Sequence, residues 1–170
     1  MLPKKLKILF LQPYPYGVAA GQRFKVEQAY NTLRERGHEV TVNSFFDIQT
    51  WRILYKKGFL IKKTFNILFL WINRLFFLLS VHRYDVVYVF MWGTPFGSSF
   101  YERIIRLLSK NLIYDIEDNV MIGQTNSLNP IMRFLRGSGK VNYLIKSSDH
   151  VITSSPFLCD YAKKINNSGN

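Results

Sequence analysis

Five short apolar runs, each closed by turn-forming residues, constrain this chain more tightly than any single motif in it. Leu6 to Leu11 stops at Gln12-Pro13, and His38 to Phe45 alternates about a β-branched middle. Asp85 to Met91 is broken by Gly93-Thr94-Pro95, Asn111 to Ile116 runs into a polar stretch, and Asp149 to Thr153 ends at Ser154-Ser155-Pro156. Continuous apolar strands are those covered on both faces, which is the habit of parallel sheets. Helical stripes lie between them. Val26, Ala29, Tyr30 and Leu33 recur at helical spacing, with Gly37 placed just past the helix end. Phe100, Ile104, Leu107 and Leu108 form another stripe, and shorter helices are predicted around Val141 to Ile145 and over Phe157 to Ile165. Strands alternating with helices predict a three-layer α/β/α fold with a mostly parallel sheet.

Composition supports a packed chain: 48% of the residues are apolar and 16% aromatic, far from the signature of disorder. A length of 170 residues predicts one domain over 1–170, since a domain takes roughly 100–200. Cys159 is the single cysteine and has no internal disulfide partner. The apolar run Ile8 to Leu11 is too short for a secretory signal, so the chain reads as cytoplasmic. The formal charge is +12, from 23 Lys and Arg against 11 Asp and Glu, and it is unevenly spread. Residues 48–84 form a long basic and aromatic insertion with seven cations (Arg52, Lys56, Lys57, Lys62, Lys63, Arg74, Arg83) and no carboxylate. Its run from Phe65 to Leu79 is interrupted by Asn66, Asn73 and Arg74, so it is expected to form a helix that does not span a membrane. That helix is expected to be partly core. The stretch before it is expected to present a membrane face of Trp51, Lys56, Lys57, Lys62 and Lys63, with Tyr55 and Phe59, to an anionic surface. Lysines among aromatics also fit nucleic acid, but no helix-turn-helix or RNA-binding pattern accompanies them, and no nucleic-acid partner is expected.

Two places carry candidate chemistry. The loop Pro13 to Gly21 sits where the first strand meets the first helix, a position suited to an anion or a sugar hydroxyl. Gly17 and Gly21 permit close approach, and Arg23 in the first helical turn is a candidate phosphate contact. The spacing Gly17-x-x-x-Gly21 is not the dinucleotide fingerprint, so Asp47 at the end of the second strand is a poor candidate for a ribose-binding acid. The second place is Asp115, Glu117 and Asp118 at the carboxyl end of the fourth strand. Strand alternation puts Asp115 and Glu117 on one face and Asp118 on the other. Glu117 or Asp118 is expected to contact a reacting hydroxyl as general base, while Asp115 is expected to pair with a lysine. Too few oxygen ligands are present for a metal site, and none is expected.

In order along the chain, several stretches resemble the N-terminal half of GT-B glycosyltransferases, especially family 4. These are Lys7 to Leu11, the loop to Gly21, Arg23-Phe24, Leu33-x-x-x-Gly37-His38-Glu39-Val40-Thr41-Val42, Tyr84 to Tyr88, and Ile113 to Asp118. The resemblance implies a Rossmann-like acceptor-binding domain of a retaining, metal-independent enzyme. Such an enzyme uses a nucleotide-sugar donor, no cofactor, and a glycan or lipid-linked acceptor of bacterial cell-surface polysaccharide synthesis. It implies Gly17, Gly21 and Arg23 along the cleft, Trp92 and Gly93 in the next loop, and Glu117 or Asp118 at the reacting hydroxyl. The family's Gly-Gly pair is here Ala19-Ala20-Gly21, and its cleft His-Asp is Glu117-Asp118. No second βα series and no Glu-x(7)-Glu motif follow, so the donor-binding C-terminal domain is expected to be absent and this half alone inactive; the basic face before Phe65 and a lipid-linked acceptor lead to the expectation of a protein peripheral at the inner face of the membrane. The alternative expectation is a non-catalytic peripheral membrane module on the same scaffold.

Overall fold

In the computed structural model, which describes residues 5–95, 97–117 and 138–169, the five apolar runs become five strands. They are β1 (Lys7–Gln12), β2 (Glu39–Ser44), β3 (Val86–Phe90), β4 (Leu112–Ile116) and β5 (His150–Thr153). They form one sheet ordered β2-β1-β3-β4-β5, and every neighbouring pair is parallel. The register runs from Lys7 opposite Glu39 to Gln12 opposite Ser44, and from Ile8 opposite Val86 to Leu11 opposite Val89. The order reverses between β1 and β3, where an open α/β sheet leaves a crevice at its carboxyl edge.

The helices are α1 (Ala20–Gln22, a π-turn Arg23–Glu27, then Gln28–Glu35), α2 (Ile48–Leu54), α3 (Leu60–Leu78), α4 (Phe100–Leu108), α5 (Ser138–Ser147) and α6 (Pro156–Ile165). A short 3-10 turn, Val81–Arg83, leads into β3. They lie on both faces of the sheet, giving the Rossmann-like α/β architecture. Side-chain alternation along β1 divides the core: Leu9 and Leu11 join Leu78, Ile105, Leu144 and Leu158 on one face, while Ile8 and Phe10 join Val26 and Tyr30 on the other.

Local chemistry fixes the ends of these elements. After α1 the Gly37 N–H donates to Arg34 O at 2.9 Å and the His38 N–H to Leu33 O at 3.1 Å, the paired bonds of a glycine-terminated helix. Gly37 holds φ at +87°, which only glycine adopts without strain. At α6 the Ser155 side chain accepts from the Leu158 N–H and Pro156 occupies the first turn, as the sequence predicts.

The insertion departs from expectation. Residues 48–84 form two helices rather than one, and Arg74 is not part of a cationic surface: it is 3% exposed and donates to the carbonyls of Gln12 and Asn43 at 3.2 and 3.3 Å. Helix α3 is partly core, as expected: Leu78 is buried and Trp71 and Leu75 pack beside it, while Phe65, Phe69 and Phe76 stand in the open. By length and composition, Leu60–Arg83 is long and apolar enough to cross a membrane, which the interruptions at Asn66, Asn73 and Arg74 had counted against.

Candidate functional site

The crevice between β1 and β3 is shaped first by the loop after β1. The Tyr14 N–H donates to Gln22 Oε1 at 3.1 Å, and the Gly17 N–H donates to the Glu27 carboxylate at 3.0 and 3.1 Å. Gln22 in turn donates to Tyr14 O at 3.0 Å and to Glu27 Oε1 at 2.7 Å. Gln22 and Glu27 are both buried, and their five-residue separation matches the i→i+5 turn of a π-helix, which brings them onto one side of α1. Two buried polar side chains therefore clamp the loop to the helix. The amide of Gly17, at φ +76°, is spent inside that clamp rather than aimed outward.

Gly21 and Glu117 meet at the mouth of the crevice. A Cβ on Gly21 would overlap the Glu117 carboxylate, so the approach of these two residues requires glycine. Glu117 is half-buried, and Tyr14 is close enough to feel it. Burial raises the Tyr14 phenol above its ordinary 10.0, and Tyr55 and then Glu117 push it further the same way. Asp115, 1% exposed, faces the same helix but is fully engaged: Lys25 Nζ and the Tyr88 hydroxyl both donate to it. Burial and then Asp115 raise the Tyr88 phenol, so it remains a donor. Asp115 thus pairs with a lysine as the sequence predicts, and Asp115 and Glu117 share the α1 side as alternation requires.

The second wall follows β3. Met91 turns the chain at φ +62°, a conformation uncommon outside glycine, and its carbonyl accepts from the Tyr114 hydroxyl at 2.8 Å. The amides of Gly93 and Thr94 donate to Glu102 Oε1 at 3.2 and 3.3 Å, and Lys140 Nζ donates to Thr94 O at 2.8 Å. Gly93 has no room for a side chain, since a Cβ would sit 2.6 Å from Ile105 Cδ1. Glu102 is wholly buried. Burial raises its carboxyl above the ordinary 4.5, against the pull of Lys140 and the backbone amides. Among the described residues, Glu102 Oε2 and Trp92 Nε1 are buried without a hydrogen-bond partner.

Of the residues singled out from the sequence, Gly21 and Glu117 meet, Gly17 is tied to Glu27 within the loop after β1, and Trp92 and Gly93 lie in the loop after β3. Arg23 stands apart on the exposed side of α1, its guanidinium 5.4 Å from the Phe24 ring. Asp118 lies outside the described residues. Asp47 is occupied as the cap of α2, its carboxylate accepting from the Thr50 N–H at 2.7 Å and the Thr50 hydroxyl at 2.8 Å. A cavity of about 420 Å³ lies beside it, lined by Asp47, Thr50, Asn66 and Phe69, away from the crevice. Lys56, Lys57 and Lys62 are exposed, whereas Lys63 folds back onto the Lys56 carbonyl. Trp51 does not stand outward as expected. It is half-buried in an aromatic cluster, 5.1 Å from Tyr14, 5.7 Å from Phe46 and 5.3 Å from Tyr55, because the apolar surface it covers is the back of the loop.

Sequence reasoning missed the polar residues that hold the site: Tyr14, Gln22, Glu27, Lys25, Tyr88 and Glu102. The one local signal among them is the pair Gln22 and Glu27, polar residues that interrupt the inward stripe of α1. A scan against protein-family models finds none that matches this chain, and a search of curated proteins likewise finds no match.

Proposed function

We propose that this chain is the acceptor-binding domain of a glycosyltransferase, one that passes a sugar from a nucleotide-sugar donor to a hydroxyl of a glycan or lipid-linked acceptor. The observation that carries this reading is the meeting of Gly21 and Glu117 at the carboxyl edge of the sheet, at the β1/β3 reversal. Open α/β sheets bind their ligands at this edge. A half-buried carboxylate there, with a glycine leaving room beside it, is suited to accept a hydrogen bond from a sugar hydroxyl and to take its proton. Asp115, the other described acid of the edge, is held by Lys25 and Tyr88 and serves the fold. The resemblance of the Tyr114 to Asp118 and Leu33 to Val42 stretches to family 4 enzymes gives the chemistry its class. On this reading the donor is bound chiefly by a second domain.

The test is a titration of the purified chain with a lipid-linked saccharide in detergent micelles, and separately with nucleotide-sugars. Saturable binding of the saccharide, weakened at least about tenfold by Glu117→Ala, is expected, since one hydrogen bond to a charged group contributes roughly 1.5–3 kcal/mol and ~1.4 kcal/mol is a factor of ten. Tight nucleotide-sugar binding with no affinity for any saccharide acceptor would overturn the reading.

A further inference from the structure

Among the described residues, helix α3 is covered on one side only. Trp71, Leu75 and Leu78 pack into the core, and Arg74 between them is bonded to the carbonyls of Gln12 and Asn43. The opposite side is apolar. Phe65, Phe69, Ile72 and Phe76 fall on one stripe at i, i+4, i+7 and i+11, and they are 67, 62, 45 and 67% exposed. A contiguous row of large apolar side chains facing outward marks a contact with something other than water.

Charge decides what that contact is. The turn before α3 and its first turn carry Lys56, Lys57, Lys62 and Lys63, and the turn after it carries Arg83. Residues 48–84 include no Asp or Glu to answer these cations. A second copy laid on the same face by two-fold symmetry would bring one cationic rim against another, which is unfavourable. An anionic lipid leaflet meets both requirements, with acyl chains for the stripe and phosphates for the lysines.

We infer that the outer face of α3 docks onto an anionic membrane with the helix lying in the plane of the leaflet. This surface differs from the one the sequence indicates: the phenylalanines of α3 insert, while Trp51 supports the loop behind it. In-plane seating follows from Arg74. A spanning helix would have to leave the sheet, strip its inner side from the core and carry that arginine to the bilayer centre, one of the costliest placements for any side chain. The inference is independent of the transfer reaction, since it rests on a different surface.

The experiment is sedimentation of the purified chain with vesicles of phosphatidylcholine alone and of phosphatidylcholine with phosphatidylglycerol. Binding is expected to be much stronger on the anionic vesicles and to weaken with salt. Replacing Phe65, Phe69 and Phe76 together with Ser is expected to weaken partitioning at least about 100-fold. The thermal midpoint should hold, because all three side chains are exposed. Replacing Lys56, Lys57 and Lys62 with Gln is expected to remove the preference for anionic vesicles. Depth is read from Phe65→Trp and Phe76→Trp, using lipids brominated at successive acyl positions and comparing each variant's quenching with that of the unsubstituted protein. An in-plane helix places both at one depth, whereas a spanning helix separates them by about 16 Å at 1.5 Å per residue. Absence of binding to either vesicle, a depth difference of that size, or full binding by the triple Ser variant would each overturn the inference. So would a concentration-dependent dimer that the Ser substitutions dissolve without any vesicle binding.

Discussion

Glu102 shows what a single residue does for the wall after β3. Its carboxylate takes the amides of Gly93 and Thr94, which fixes the loop's path, yet Oε2 is left buried without a partner among the described residues. Burial raises its carboxyl above 4.5, so the folded protein holds this proton to a higher pH than the unfolded chain does. Stability from this group is therefore greatest at acid pH and is lost as pH rises beyond 4.5 toward the folded-state value. Glu102→Gln keeps an acceptor for both amides and removes the titration. In parallel thermal melts across the range from pH 4 to pH 8, the variant's midpoint should gain on the wild type as pH rises, then keep a constant lead. A lead that does not change with pH would show that Glu102 is equally at ease charged. Little of this was legible in the sequence, where Glu102 reads as a polar position on an apolar helix. That Asp115 would pair with a lysine was legible, but not which one: Lys25 is 90 residues away and meets it only because α1 lies across β4.

Among the elements, the insertion is where local pattern and tertiary context diverge most. The sequence marks a helix from Phe65 to Leu79 by its apolar run, but that run is apolar on every side and contains no signal for which side faces the sheet. The side is decided by Arg74, whose guanidinium reaches the ends of β1 and β2, and by Trp71, Leu75 and Leu78 around it. Burial lowers the Arg74 guanidinium from 12.5 to about 9, and Glu102 acts in the opposite sense, so it stays charged at neutral pH. The short α2 depends on its cap. Asp47 accepts from both the amide and the hydroxyl of Thr50, and Thr50 also receives Asn66 of α3 at 3.2 Å. Asp47→Ala is expected to cost about 1 kcal/mol, the usual loss for an N-cap, with the midpoint of urea unfolding moved and its slope unchanged. A neutral substitution would mean that α2 is held by the Trp51 cluster alone.

For the whole molecule, the sheet order places β1, β3 and β4 inside and β2 and β5 at the edges. The inner strands carry the fully buried Leu9, Leu11, Val87, Val89, Leu112 and Ile116, while β2 is only partly buried and β5 alternates with solvent. Amide hydrogen exchange should follow that order, slowest in β1, β3 and β4 and measurably faster in β5, because edge amides open without disrupting the core. Equal protection across all five strands would show that the sheet opens only as one unit. The same architecture separates what was written locally from what was not. The sequence by itself determined the class of fold, since apolar runs bounded by Gly and Pro and answered by helical stripes leave few alternatives to a parallel α/β sheet. Its glycine and proline caps are local chemistry, as are the positions of its five strands, which lie within a residue or so of the expected runs. Only the tertiary structure decided that Glu117 rests on Gly21, that Glu27 holds the Gly17 loop, that Trp51 turns inward and that α3 leaves Phe65, Phe69 and Phe76 uncovered. Each of these depends on which distant surfaces meet, and residue type and spacing carry no record of that until the sheet has assembled and burial has chosen a side for every helix.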